Sequence, residues 1–293
     1  MNKLNAWIIS FRLRTLPLSL SAIFAGSIIA ARQGLFRWEV LIWASVTTLF
    51  LQILSNLSND YGDAVSGADN DSRTGPKRMI QSGIITKQQM KKAMIVCALL
   101  SLVSGLVLLC VSFESIKIET VLFLIAGLAA IAAAIRYTVG QNPYGYRGLG
   151  DIYVFLFFGI AGVAGSFFLH GISWSWAALL PASTIGFFSM AVLNLNNIRD
   201  IHSDSESGKH TLVVKIGRDN ASWYHFFLIM GGWLCFLIFT KISGDTGLLP
   251  ICTLPLFIVD VWVVFTKNDS NRLNSELRNL SLTILLFVLL GVV

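Results

Sequence analysis

The chain has 293 residues, 55% of them hydrophobic and 13% charged, with a mean hydropathy of +0.69. A soluble domain carries about a quarter of its residues charged, so this composition excludes one and predicts a polytopic all-α membrane protein. The net charge of +6 is spread over short loops beside apolar segments, where anionic lipid and the membrane-orientation rule account for it; no nucleic-acid partner is expected.

Residues 1–15 are mixed in character and include Arg12 and Arg14, so no cleavable signal is expected and the first apolar run stays in the protein. Runs of the roughly 20 residues that a bilayer requires are predicted near 16–31, 39–59, 93–113, 119–137, 152–170, 175–198, 222–241, 247–266 and 279–293. With residue 1 on the cytoplasmic side, the even-numbered connections face the cytoplasm too, and residue 293 lies opposite. Eighteen of the 22 Lys and Arg residues then fall on that side, leaving only Arg32, Arg37, Lys117 and Lys241 across the membrane. This is the asymmetry that cytoplasmic loops show. Cys97, Cys110, Cys235 and Cys252 lie inside apolar runs without C-x-x-C spacing and read as small core residues.

Two polar faces stand out at the ends of apolar runs. Asn56, Asn59, Asp60 and Asp63 share one helix face, and Asn196, Asp200 and Asp204 share another. Asn56 and Asp60 map onto Asn196 and Asp200 at an offset of 140 residues, as two pseudo-repeated halves enclosing a central cavity would require. Each face runs on into a Gly and Lys segment, GPKRMIQSG in the first and SGKHTLVVKIG in the second. Carboxylate and amide oxygens are hard ligands suited to Mg2+, which often completes its shell with substrate phosphates. Basic side chains beside them supply the other half of a phosphate clamp. Helix caps and solvated loop ends use the same residue types one at a time, but two matched faces on one side point to a diphosphate held through metal. Asp260 lies within a span, where an ionisable group is costly and is usually paired or functional; it is left out of the site.

Four blocks in order carry a resemblance: FRLRTLPLSLSAIFAG, NLSNDYGDAVSGADN with GPKRMIQSGIIT, IRYTVGQNPYGYRGLGDIYVFLFFG, and NLNNIRDIHSDSESGKHTLVVKIG. Together they resemble the UbiA-type intramembrane prenyltransferases over essentially the whole chain. RTLPL, NDYGDAVSG, YTVGQNPYGYRGLGD and NNIRDI resemble the branch whose aromatic acceptor is 1,4-dihydroxy-2-naphthoate. The resemblance implies a single transmembrane domain over 1–293, a bundle of nine helices around a cavity, in a bacterial inner membrane. It implies transfer of a polyprenyl group from polyprenyl diphosphate to the naphthoate with loss of carbon dioxide and diphosphate, giving demethylmenaquinone in menaquinone biosynthesis.

The family pattern is an Asn followed by two Asp residues at spacings of four. Asn196, Asp200 and Asp204 match it in full, whereas the first motif has two registers, Asn59–Asp63–Gly67 and Asn56–Asp60–Ala64. The implied metal set is therefore Asn56, Asn59, Asp60, Asp63, Asn196, Asp200 and Asp204 around Mg2+, with Lys77, Arg78 and Lys209 on the diphosphate. Tyr137, Tyr144, Tyr146 and Tyr153 are candidates for an aromatic wall facing an allylic cation. Arg14, Arg136, Tyr137 and Arg147 are candidates for the acceptor. Gly159, Ala161, Gly162, Ala164 and Gly165 would leave room for the prenyl tail among membrane lipid, although small residues also serve tight helix packing. The alternatives are prenylation of 4-hydroxybenzoate or another aromatic acid and, from a different class, a cation-coupled transporter.

Overall fold

A computed structural model describes residues 2–67, 78–171, 176–244 and 248–291. Among the described residues all regular structure is helical, and nine helices are long and apolar enough to cross a membrane. In chain order they are α1 (Lys3–Arg32), α2 (Trp38–Ser66), α3 (Lys87–Ser112), α4 (Ile118–Arg136), α5 (Gly150–Gly171), α6 (Leu179–Arg199), α7 (Arg218–Ser243), α8 (Leu249–Thr266) and α9 (Ser270–Leu290). Two short helices, Ile201–Glu206 and Leu212–Ile216, fill the connection between α6 and α7.

Several helices start earlier than the apolar runs suggest, because polar caps extend them beyond the lipid-facing part. α3 begins at Lys87 rather than 93, where Thr86 and Gln89 form a reciprocal capping box. α9 begins at Ser270 rather than 279, with the Asp269 carboxylate accepting from the Arg272 amide at 2.9 Å. That extension makes the polar stretch holding Asn274 and Glu276 helical and gives it one face toward the other helices. α1 starts at Lys3, well before 16, and breaks at Arg12, whose φ of 49° is the one positive value for a non-glycine among the described residues. Side chains other than Gly adopt this region rarely, and here the break lets the Arg12 guanidinium reach α2.

The larger core lies among α1 and α5 to α9. Phe188 of α6, Trp233 of α7, Phe257 of α8 and Phe287 of α9 pack ring against ring, with Phe188 and Phe257 centroids 4.6 Å apart and Trp233 and Phe287 5.4 Å apart. Leu54 and Leu57 of α2 close a second core with Met90 and Met94 of α3. α4 has no fully buried residue, so it forms an outer wall one helix thick. Only Cys97 is buried, whereas Cys110 and Cys252 are exposed and Cys235 is half-buried. The expectation of four core cysteines is corrected: a small apolar side chain suits a lipid-facing surface as well as a core.

α5 winds into a wider π-type turn over Phe155–Gly165. A Cβ at Gly159 would stand 2.6 Å from the Ala182 carbonyl oxygen and 3.0 Å from the Gly186 Cα, so α5 and α6 meet backbone to backbone. Asp260 is buried between helices, with His225 Nε2 2.7 Å from its Oδ2. This pair ties α7 to α8 away from the cavity described below.

Candidate active site

The polar groups that end α2 and those that follow α6 are brought together through Lys209. On α2, Asp63 contacts the Arg78 guanidinium at 2.5 Å and the Lys209 ammonium at 3.1 Å, and accepts from the Tyr146 hydroxyl. Asp60, one turn back toward Asn56, pairs with Arg12 at 2.5 Å and with Arg78 at 3.5 Å. On the other motif, Lys209 reaches Asp204 at 3.3 Å. One ammonium thus bridges the two motifs, with Lys209 itself 146 residues from Asp63. The Arg199 guanidinium covers both oxygens of Asp200, at 2.8 and 2.5 Å, and donates to the Asn196 amide oxygen at 2.9 Å.

Backbone and side-chain locks hold these ends in place. Asn56 Nδ2 donates to the Phe11 carbonyl at 2.9 Å and to Thr15 Oγ1 at 3.1 Å, fixing α2 against the break in α1. Thr138 Oγ1 donates to the Ser58 carbonyl and to the Asn59 amide oxygen. Gly62 permits this approach, since a Cβ there would lie 2.5 Å from the Thr138 carbonyl oxygen. The segment after α4 also clasps the second motif: the His210 amide donates to the Tyr146 carbonyl at 2.8 Å, and Lys215 Nζ donates to the Arg147 carbonyl at 2.8 Å. Burial pushes the Tyr146 phenol far above its ordinary value, and the Asp63 charge adds to the shift. Burial also raises the Asp204 carboxyl, with Lys209 opposing it.

A cavity of about 860 Å³ lies beside this polar cluster, whose Asp60, Asp63, Asp200, Asp204, Arg78 and Lys209 stand behind its wall rather than on it. Arg12, Arg14, Asn56, Asn59 and Asn196 line its polar end, and Leu122, Ala126, Ala130, Ala161, Gly162 and Gly165 are among its apolar lining. Tyr137, Tyr144 and Tyr153 face into it, with the Tyr144 and Tyr153 rings stacked at 3.9 Å between centroids. Arg14 donates to the Asn274 amide oxygen at 2.6 Å, and Arg199 shares the same oxygen at 3.1 Å.

The structure thus gathers Asn56, Asn59, Asp60, Asp63, Arg78, Asn196, Asp200, Asp204 and Lys209 at one end of the bundle; Lys77 lies outside the described residues. Both registers of the first motif contribute, Asp60 toward Arg12 and Asp63 toward Lys209. Arg136 and Arg147, the other acceptor candidates, are exposed and do not line the cavity. Tyr146 holds Asp63 rather than facing the cavity, and Gly159 packs on α6 rather than lining a groove. Sequence reasoning left Arg12, Thr138, Arg199 and Asn274 without a role. Arg199 had a signal in its place beside Asp200, whereas Asn274 had none.

The donor set fits a divalent cation of the Mg2+ type. Every candidate donor is a carboxylate or amide oxygen, and Lys209 already places a positive charge between Asp63 and Asp204. Among the described residues no three His, Cys, Asp or Glu side chains converge closely enough to hold a metal alone. That suits an ion bound through one or two carboxylates and completed by phosphate oxygens.

Comparison with known proteins adds three findings. A model of the UbiA prenyltransferase family matches residues 19–288. The chain is 44% identical over 295 aligned positions to a 1,4-dihydroxy-2-naphthoate octaprenyltransferase of Escherichia coli (strain K12), covering 99% of this chain and 96% of the relative. Among solved structures, a UbiA homologue from Aeropyrum pernix K1 in its apo form superposes with a TM-score of 0.73 at 14% identity, over 96% of this chain and 97% of the other. A UbiA homologue from Archaeoglobus fulgidus bound to DMAPP and Mg2+ gives 0.67 at 14%, over 99% and 98%. At those identities the two structures bear on the fold.

Proposed function

The chain belongs to the UbiA prenyltransferase family, and from that premise we propose how its site works: it transfers a polyprenyl group from an allylic polyprenyl diphosphate to 1,4-dihydroxy-2-naphthoate. The observation that carries this reading is the juxtaposition of two acidic motifs, bridged by Lys209, directly behind the Arg12, Asn56, Asn59 and Asn196 wall of a largely apolar cavity. An anionic headgroup with a hydrocarbon tail has both of its halves met there. The candidates to hold Mg2+, through one or two carboxylates to each ion, are Asp60 and Asp63 on one side and Asp200 and Asp204 on the other, with Asn56, Asn59 and Asn196 adjacent. When bound, the ion neutralises charge growing on the diphosphate leaving group.

Lys209 and Arg78 stand beside those carboxylates and supply positive charge to the phosphoryl oxygens, with Lys77 a further candidate from the same segment. The allylic carbon–oxygen bond breaks, and its electron pair leaves with the diphosphate. Tyr137, Tyr144 and Tyr153 present aromatic faces to the cationic carbon, and the apolar lining keeps out water that would quench it. The ring carbon bearing the carboxylate forms the new carbon–carbon bond; the bond to the carboxylate then breaks, its electron pair returning to the ring as carbon dioxide leaves. The product is the hydroquinone form of demethylmenaquinone. To the acceptor carboxylate we assign Arg14, which lines the cavity. In this reading the site faces the cytoplasm, a side favoured by the excess of Lys and Arg in the even-numbered connections.

The test is purified protein in detergent with polyprenyl diphosphate, Mg2+ and each aromatic acid in turn. The reading expects carbon dioxide release with the dihydroxynaphthoate; turnover of 4-hydroxybenzoate alone overturns the acceptor assignment.

A further inference from the structure

The four carboxylates at the two helix ends, Asp60, Asp63, Asp200 and Asp204, are matched by four cations, Arg12, Arg78, Arg199 and Lys209. The most complete of these pairings is Arg199 on Asp200. Its Nε and Nη2 take one carboxylate oxygen each, at 2.8 and 2.5 Å, while Nη2 also takes the Asn196 amide oxygen at 2.9 Å. One buried guanidinium therefore occupies the oxygens of two of the three polar residues in the second motif. Its Nη1 is anchored separately, on Asn274 of α9 at 3.1 Å. The side chains of Arg199 and Asp200 are only 3% and 11% exposed, so removing either leaves the charge of the other largely shielded from water.

We propose that Arg199 is a built-in counter-ion: it holds Asp200 and Asn196 in place of the metal before substrate arrives, and must release them for Mg2+ to bind. The inference rests on the reading of Asp200 as a metal ligand and adds a competitor for it. An ion entering beside Asp200 displaces charge-assisted hydrogen bonds as well as water, so the empty site binds metal weakly. Arriving as a complex with the diphosphate, the metal brings negative charge that the freed guanidinium can meet while Asn274 keeps its other nitrogen. Metal and diphosphate binding are then coupled, and the carboxylates need never face one another bare in the apolar interior. Arg199 is in this account a positioning residue, acting through Asp200.

The test uses metal alone, with neither prenyl diphosphate nor naphthoate present, so its outcome is independent of the acceptor assignment. Mn2+ binding to full-length protein in detergent is followed by the loss of the free-ion electron paramagnetic resonance signal, for the wild type, R199Q and R199K. The expected result is that R199Q binds Mn2+ about tenfold or more tightly than the wild type, although its metal-free melting temperature is lower. R199K, which keeps the charge but loses the fork, falls between them and covers the case in which R199Q does not fold. Adding D200N to R199Q or R199K abolishes the gain. Equal or weaker Mn2+ binding in both Arg199 variants overturns the proposal, as does an absence of Mn2+ binding in all of them. In the former case Arg199 only braces α6.

Discussion

Replacing Lys209 with Met removes the bridge between the motifs while keeping the unbranched stem of the side chain as far as Cε. The ammonium lies 3.1 Å from Asp63 and 3.3 Å from Asp204. At an effective dielectric of about 20, each contact has a Coulomb energy of about 5 kcal/mol, and desolvation offsets most of it. Asp63 keeps Arg78 at 2.5 Å, so the loss falls mainly on Asp204, whose carboxyl is already raised by burial. Removing one partner of a buried pair costs roughly 3–5 kcal/mol, and the residual exposure of Lys209 and Asp204, 13% and 11%, places this one at about 3 kcal/mol. Metal-free unfolding in detergent should show that loss in K209M. The double variant D204N/K209M should recover most of it, since it leaves no unpaired charge. Turnover with saturating Mg2+ should fall by about 10²–10³ in both, the usual effect of removing a preorganised charge at a leaving group. A K209M protein as stable as the wild type, or a double variant no more stable than the single, would refute the bridge.

Three further outcomes follow from the same geometry. In G62A the new Cβ would lie 2.5 Å from the Thr138 carbonyl oxygen; the expected cost is about 1–3 kcal/mol of stability and, for a shift of about 1 Å between Asp60 and Asp63, on the order of 10² in turnover. R136A and R147A should change stability by no more than about 0.5 kcal/mol and leave steady-state turnover intact, because both side chains are exposed and off the cavity wall. H225A should lower stability by roughly 1–3 kcal/mol by leaving the buried Asp260 without its hydrogen-bond partner, with thermal unfolding as the readout. H225L/D260L should recover much of that loss without altering the KM for either substrate.

Much of this arrangement is legible in the chain because membrane physics writes it coarsely. Apolar runs mark where helices cross, and the Lys and Arg distribution gathers the even-numbered connections at one end. Helical spacing then puts Asp60 and Asp63, and Asp200 and Asp204, on faces that can meet. What sequence periodicity does not carry is pairing across long separations. Asn274 looks like a surface residue in a polar stretch; it matters because an early cap at Asp269 extends α9 and brings it against Arg14 and Arg199. Arg12 looks like one more orientation residue until the left-handed turn sends it to Asp60. Gly159 and Gly162 lie on the same helix and read alike, yet a Cβ at the first would meet the α6 backbone and one at the second the Ala22 side chain of α1 at the cavity wall. Helix rotation, which decides between those outcomes, is set by neighbours that no local window contains.

The central claim is that the two motifs form one diphosphate site through a shared cation shell. It is tested most directly by calorimetric binding of an unreactive polyprenyl thiodiphosphate, with and without Mg2+, to the wild type, D63N and D204N. Each variant should lose at least about tenfold of the Mg2+-dependent affinity, one from each motif. Wild-type Mg2+-dependent affinity in either variant would contradict the claim.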